Sequence, residues 1–153
     1  MALDVGWVAP VARAGEWLED AKPTSVLRSC GSLYRKAVLV VPQEGPGAWS
    51  MLREARAAGA MVTALCAPER ADEAWTAGAD AVLDPERQDP TWYRGAWTLI
   101  YDPAGRIGFS RAERSLVAGG VYATGASSLL DRSRALLTQL GGGPRILRLR
   151  TSD

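Results

Sequence analysis

Histidine is absent from all 153 residues. That removes the commonest general base, any Ser-His-Asp or Cys-His arrangement within this chain, and any zinc site that needs an imidazole. Cysteine is nearly absent too: Cys30 and Cys66 stand at no metal-ligand spacing, and a reducing compartment would keep both as thiols. Neither sign of charge is in excess. A net charge of +1 with 23% charged residues argues against a nucleic-acid surface or a polybasic membrane surface. No apolar run approaches the roughly 20 residues of a membrane span. The start, Met-Ala-Leu-Asp-Val-Gly-Trp, carries an early acid and no basic region, unlike a secretory signal. No tandem repeat or low-complexity segment is visible. These absences together predict a cytoplasmic protein with no metal, no nucleic-acid or membrane partner and no catalytic residue of its own.

Tryptophan, by contrast, is plentiful. Six indoles exceed what the core of a small α/β domain holds, so some are expected at the surface or at an interface. The organising stretch is Ala37–Cys66. Ala-Val-Leu-Val-Val (37–41) is a short apolar run suited to a strand buried on both faces. A turn-forming cluster, Pro42-Gln43-Glu44-Gly45-Pro46-Gly47, follows. Met51, Leu52, Ala55 and Ala58 then recur at helical spacing, predicting a helix over 48–58 that ends at Gly59. Ala60–Cys66 reads as a second buried strand. A strand, a glycine turn, a helix and a parallel strand make the phosphate-cradling half of a dinucleotide-binding fold.

The rest of the chain continues the alternation. A helix is predicted over 68–77 with Pro68 in its first turn and Gly78 at its end, then a strand over 79–83. Residues 86–96 bring Trp92, Tyr93 and Trp97 together and read as a short crossing helix before a strand at 98–101. Asp102-Pro103-Ala104-Gly105 forms a loop at a strand's carboxyl end, where open α/β sheets hold ligands. A helix over 110–118, a strand over 121–124, a loop from Gly125, a helix over 129–140 and a last strand over 145–150 complete the pattern. Residues 1–36 stand apart as a helical extension. An amphipathic helix is expected over 11–21, and a second, capped by Thr24 or Ser25, runs to Cys30. Trp7 and Trp17 would pack back over the sheet. The fold class is a three-layer α/β domain over 37–153, with about six mostly parallel strands and helices on both faces.

Residues 37–150 resemble the cofactor-binding Rossmann domain of medium-chain dehydrogenases/reductases, in particular the quinone oxidoreductase branch. The matching phrases are Val38-Leu39-Val40-Val41, Ala57-Ala58-Gly59-Ala60, Gly78-Ala79-Asp80-Ala81-Val82-Leu83-Asp84, Leu99-Ile100-Tyr101-Asp102 and Ala118-Gly119-Gly120-Val121-Tyr122-Ala123-Thr124-Gly125. The family's catalytic lobe has no counterpart in these residues, so the resemblance implies a cofactor domain without its substrate-binding partner. It also implies a glycine motif falling on Gln43, Gly45 and Ala48. Gln43 brings a Cβ to the tight turn, Pro46 removes a backbone N–H, and Glu44 places a carboxylate near the anion's expected position. The resemblance places Cys66 where NAD-dependent members carry an acid. Arg70 lies at the family's basic position, which implies NADPH rather than NADH as any bound cofactor. Gly45, Gly47, Ala48, Cys66, Arg70, Asp102, Gly105 and Gly125 are therefore the candidate cofactor-binding residues.

Each has a plainer alternative. The glycines also suit a turn kept for its geometry, Arg70 a solvated helix charge, Asp102 a turn residue, Tyr101 packing and Cys66 a small buried hydrophobe. The last run, Arg145-Ile-Leu-Arg-Leu-Arg150, matches the strand through which the resembled family pairs across a two-fold axis, implying a homodimer through an exposed edge. Three functions follow from these readings. The first is a stand-alone Rossmann module with weak or lost dinucleotide binding and an interaction role toward a protein partner. The second is an NADPH-binding reductase component whose substrate lobe lies on another chain. The third is another nucleotide-dependent enzyme such as a methyltransferase.

Overall fold

The structure is a computed structural model that describes residues 17–18, 22–45, 47–125 and 142–149. Seven strands form one sheet: β1 (Trp17–Leu18), β2 (Ala37–Val40), β3 (Met61–Leu65), β4 (Ala81–Leu83), β5 (Trp97–Tyr101), β6 (Leu116–Thr124) and β7 (Arg145–Leu149). Their order is β1-β7-β6-β5-β2-β3-β4, and every neighbouring pair is parallel. With the two-residue β1 set aside, the remaining six follow the doubly wound order 3-2-1-4-5-6. That order reverses between β2 and β5.

The apolar runs are continuous because both faces of the sheet are covered. Val38 and Val40 turn to one side with Val62, Ala64, Leu99, Val121 and Leu147. There they meet Val26 of α1 (Pro23–Ser29), Met51, Leu52 and Ala55 of α2 (Ser50–Ala57), and Ala74 of α3 (Ala71–Ala77). Leu39 and Val41 turn the other way with Ile100, Tyr122 and Ile146, against Phe109 and Ala112 of α4 (Phe109–Ala112). Gly59, at φ +83, follows the last residues of α2 in the left-handed conformation that a helix exit favours, and Gly78 does the same for α3 at φ +105.

Several boundaries differ from the sequence reading, each for a local reason. α2 starts at Ser50 because two successive turns precede it, closed by Ala48 N–H to Gly45 O and Ser50 N–H to Gly47 O, both 3.1 Å. The helix expected over 110–118 is only α4 followed by a 3-10 turn, Glu113–Ser115. Leu116 already pairs with Trp97, and a register shift before Leu99 accommodates Gly119 at φ +73. The helix over 68–77 opens as a 3-10 turn at Pro68–Arg70, and the crossing segment over 86–96 holds one at Pro90–Trp92, capped by Asp89. α1 begins at Pro23 without a side-chain cap from Thr24 or Ser25, its proline presetting the first φ.

At the other end of the sheet, Trp17–Leu18 is a strand and not part of a helix over 11–21. It lies alongside Arg148 and Leu149 of β7, so β7 is flanked there and is not a bare edge. The remainder of that predicted helix, Trp7 and the predicted helix over 129–140 lie outside the described residues. Tryptophan divides as expected: Trp49 and Trp97 are buried, while Trp92 and Trp75 are exposed. Among the described residues no helix is long and apolar enough to cross a membrane.

Cys30 closes α1, its thiol donating to Val26 O at 3.3 Å. Burial pushes its pKa up from 9.0 to about 12, with Arg145 pulling the other way. A raised folded pKa means that stability is fully present below pH 9 and falls as pH rises towards 12, by about 1.4 kcal/mol per pH unit for this one thiol. Urea midpoints of wild type and Cys30→Ala, compared between pH 8 and pH 10.5, should show the wild type losing about 2 kcal/mol more than the variant. Equal losses would remove Cys30 from the account.

Candidate functional site

All eight residues nominated from the sequence fall at the carboxyl ends of the strands. Gly45, Gly47 and Ala48 follow β2; Cys66 and Arg70 follow β3; Asp102 and Gly105 follow β5; Gly125 follows β6. The topology therefore gathers them on one margin of the sheet, on both sides of the point where strand order reverses. In doubly wound folds that margin is where ligands lie.

The loop after β2 is built more for its own shape than for close approach. Gly45 takes φ +92, yet a Cβ there would meet nothing within 4 Å. Its glycine serves the turn and no tight contact. Gly47 has ordinary dihedrals, and a Cβ there would only touch Ser50 Oγ at 3.7 Å. Ala48 is buried at the head of α2, as close helix-sheet packing requires. The N–H groups of Ala48 and Ser50 are already engaged inside the loop. Glu44 extends into solvent and stands 3.9 Å from Arg106 of the loop after β5.

Past β3, three side chains interlock. The indole N–H of Trp49 donates to Glu73 Oε2 at 3.0 Å. The Arg70 guanidinium lies over the Trp49 ring, 5.1 Å from its centroid, and 3.6 Å from the same Glu73 carboxylate. Arg70 is thus held by a ring and a carboxylate rather than waving free. Cys66 is buried beside this group. Burial pushes its thiol up, Arg70 opposes that, and Glu73 and Asp84 add to it, so the group stays a neutral thiol.

The loop after β5 is organised from inside by Asp102, which has no exposed surface. Its Oδ1 accepts the Arg106 N–H at 3.0 Å; its Oδ2 accepts the Ile107 N–H at 2.7 Å and the Tyr122 hydroxyl at 2.6 Å. Tyr122 in turn accepts the Gly108 N–H at 3.0 Å. Burial first, and then the bond to Asp102, hold the Tyr122 hydroxyl protonated well above the usual tyrosine range. Gly105, at φ +70, donates its N–H to the Asp102 carbonyl. Asp102 is therefore the turn residue of the plainer alternative, its carboxylate turned into the loop. Tyr101 is buried in the core, its hydroxyl likewise pushed up by burial, which fits packing. Gly125 is exposed and ties β6 to this loop through its N–H and Pro103 O, 2.9 Å.

Trp49, Glu73 and Arg106 were not among the nominated residues. Glu73 stands three residues after Arg70, a helical pair open to sequence reading. Arg106 directly follows the loop glycine. Trp49 meets Arg70 only through the fold. Among the described residues no group of three or more His, Cys, Asp or Glu side chains could hold a metal ion.

No protein-family model and no curated protein matches the sequence. Solved structures do. A cobalt- and zinc-bound thermostable alcohol dehydrogenase from Pyrobaculum aerophilum superposes with a TM-score of 0.64 at 22% identity, over 84% of this chain and 39% of its own. The quinone oxidoreductase from Coxiella burnetii gives 0.63 at 13%, over 87% and 41%. A mycobacterial protein solved with NADPH gives 0.58 at 21%, over 84% and 43%. The fold is a Rossmann-like α/β fold, shared with part of these alcohol dehydrogenase and quinone oxidoreductase structures. The chain spans about two fifths of the length of these structures.

Proposed function

We propose that this chain is a Rossmann module of medium-chain dehydrogenase type that binds dinucleotide weakly, prefers NADPH to NADH, and carries no catalytic group of its own. The observation behind this reading is the Arg70–Trp49–Glu73 cluster just past β3. An NAD site carries an acid at the end of that strand for the ribose hydroxyls, whereas a nearby arginine suits a 2′-phosphate. Here the strand ends in Cys66 and the fixed cation is Arg70. The ribose end thus suits NADPH. The diphosphate end suits it poorly, because amides at the head of α2 are engaged in the loop and Glu44 brings a carboxylate to that same loop.

When bound, the cofactor would supply hydride chemistry. The chain's own part is to hold the 2′-phosphate with Arg70, pack Ala48 under the loop, and present the loops of β2 and β5 on either side.

Titration with NADPH and NADH at low salt, followed by tryptophan fluorescence and calorimetry, tests this reading. NADPH should saturate with a Kd of about 100 μM and NADH about fivefold more weakly. Arg70→Ala should erase the difference. Equal affinities in the wild type would remove the preference, and no saturable binding of either would overturn the reading.

A further inference from the structure

β2 and β5 are neighbours where the strand order reverses, and one ion pair spans their two exit loops. Arg106 Nη2 lies 3.9 Å from Glu44 Oε1. The backbone that presents Arg106 is fixed: its own N–H and that of Ile107 end on the buried Asp102 carboxylate, and Gly105 supplies the left-handed turn before it. The charged ends are free by comparison. The Arg106 side chain is 57% exposed and that of Glu44 85%.

We propose that Glu44 is a built-in stand-in for phosphate, holding Arg106 until a diphosphate-bearing ligand displaces it and takes the guanidinium. Where that ligand lies rests on the dinucleotide reading above. The exchange itself follows from chemistry. A carboxylate and a phosphate offer the guanidinium fork the same kind of oxygen pair. An exposed pair at this distance is weak and screened by salt, while a diphosphate brings more charge to the same donor. Glu44 then turns back to solvent, which its exposure permits. The site thereby rejects weakly charged ligands, which cannot outbid the resident carboxylate.

Inorganic pyrophosphate and NADPH, each titrated by calorimetry at low salt into wild type, Glu44→Gln, Arg106→Gln and the double variant, read this directly. Both substituted side chains are exposed, so the four proteins should unfold thermally at the same temperature. Glu44→Gln should strengthen binding of both probes about threefold, and Arg106→Gln should weaken it about tenfold. The double variant should match Arg106→Gln within about twofold, because the gain runs through Arg106. An equal gain from Glu44→Gln with and without Arg106 would mean plain repulsion, and would overturn the exchange while leaving dinucleotide binding intact. The full pattern with pyrophosphate, but no NADPH binding to any variant, would uphold the exchange and overturn the dinucleotide reading. No binding of either probe to any of the four proteins would overturn both.

Discussion

Asp102→Ala is expected to destabilise the fold by about 4 kcal/mol, since three donors inside the loop lose their acceptor at once. The three are the N–H groups of Arg106 and Ile107 and the hydroxyl of Tyr122. The two N–H groups share a fully buried acceptor, whereas the Tyr122 hydroxyl also has the Thr124 side chain as a hydrogen-bond partner. Asp102→Asn keeps the shape and one acceptor oxygen but turns an amide N–H toward a donor, so about half the loss should remain. Tyr122→Phe removes the bond to the carboxylate, the one from Gly108 and the one with Thr124, and should lose about 1–2 kcal/mol. Urea unfolding at constant m-value orders the three variants. A loss below about 1 kcal/mol in Asp102→Ala would mean that the loop is held by something else. Because the same carboxylate fixes the Arg106 backbone, Asp102→Asn should also weaken pyrophosphate binding, though it touches no ligand.

The same residue shows where sequence reading reaches and where it stops. That a loop at the end of β5 matters could be read from an apolar strand followed by Asp-Pro-Ala-Gly, together with the carboxyl-end rule. That its aspartate points inward could not, because the partner tyrosine sits on the next strand and only the sheet register brings it there. β2, α2, Gly59 and β3 were legible because each is a local pattern, an apolar run or a helical stripe bounded by glycine. Leu116 and Val117 were misplaced because their spacing from Ala112 suits a helix equally well. Pairing of Leu116 with Trp97, a non-local contact, decides the matter. Trp17–Leu18 failed for the same reason, since its strand exists only beside β7 at the far end of the sequence. The candidate site divides in the same way. Gly45 and Arg70 were visible as residue types in the right loops, whereas the Trp49 platform and the Glu44–Arg106 pair are contacts between loops, which no local pattern records.

The Trp49 platform carries the other large expected effect. Trp49 is 6% exposed and belongs to the core under α2, so Trp49→Ala should lose about 3–5 kcal/mol of stability. That variant tests packing alone. Trp49→Phe tests the site, because it keeps most of the volume, removes the indole donor to Glu73 and leaves Arg70 over a weaker ring. The stability loss should be about 1 kcal/mol. The preference for NADPH over NADH should nevertheless shrink, because Arg70 no longer has a fixed station. Glu73→Gln separates that explanation from its rival. It can still accept from the Trp49 indole but no longer attracts the guanidinium at 3.6 Å. If Glu73 competes with a 2′-phosphate for Arg70, the preference for NADPH should rise about threefold in this variant. If Glu73 instead positions Arg70, the preference should fall together with that of Trp49→Phe. Calorimetry with both dinucleotides on the two variants distinguishes these outcomes. An unchanged ratio in both would show that Arg70 does not choose between the cofactors, whatever its place beside the strand.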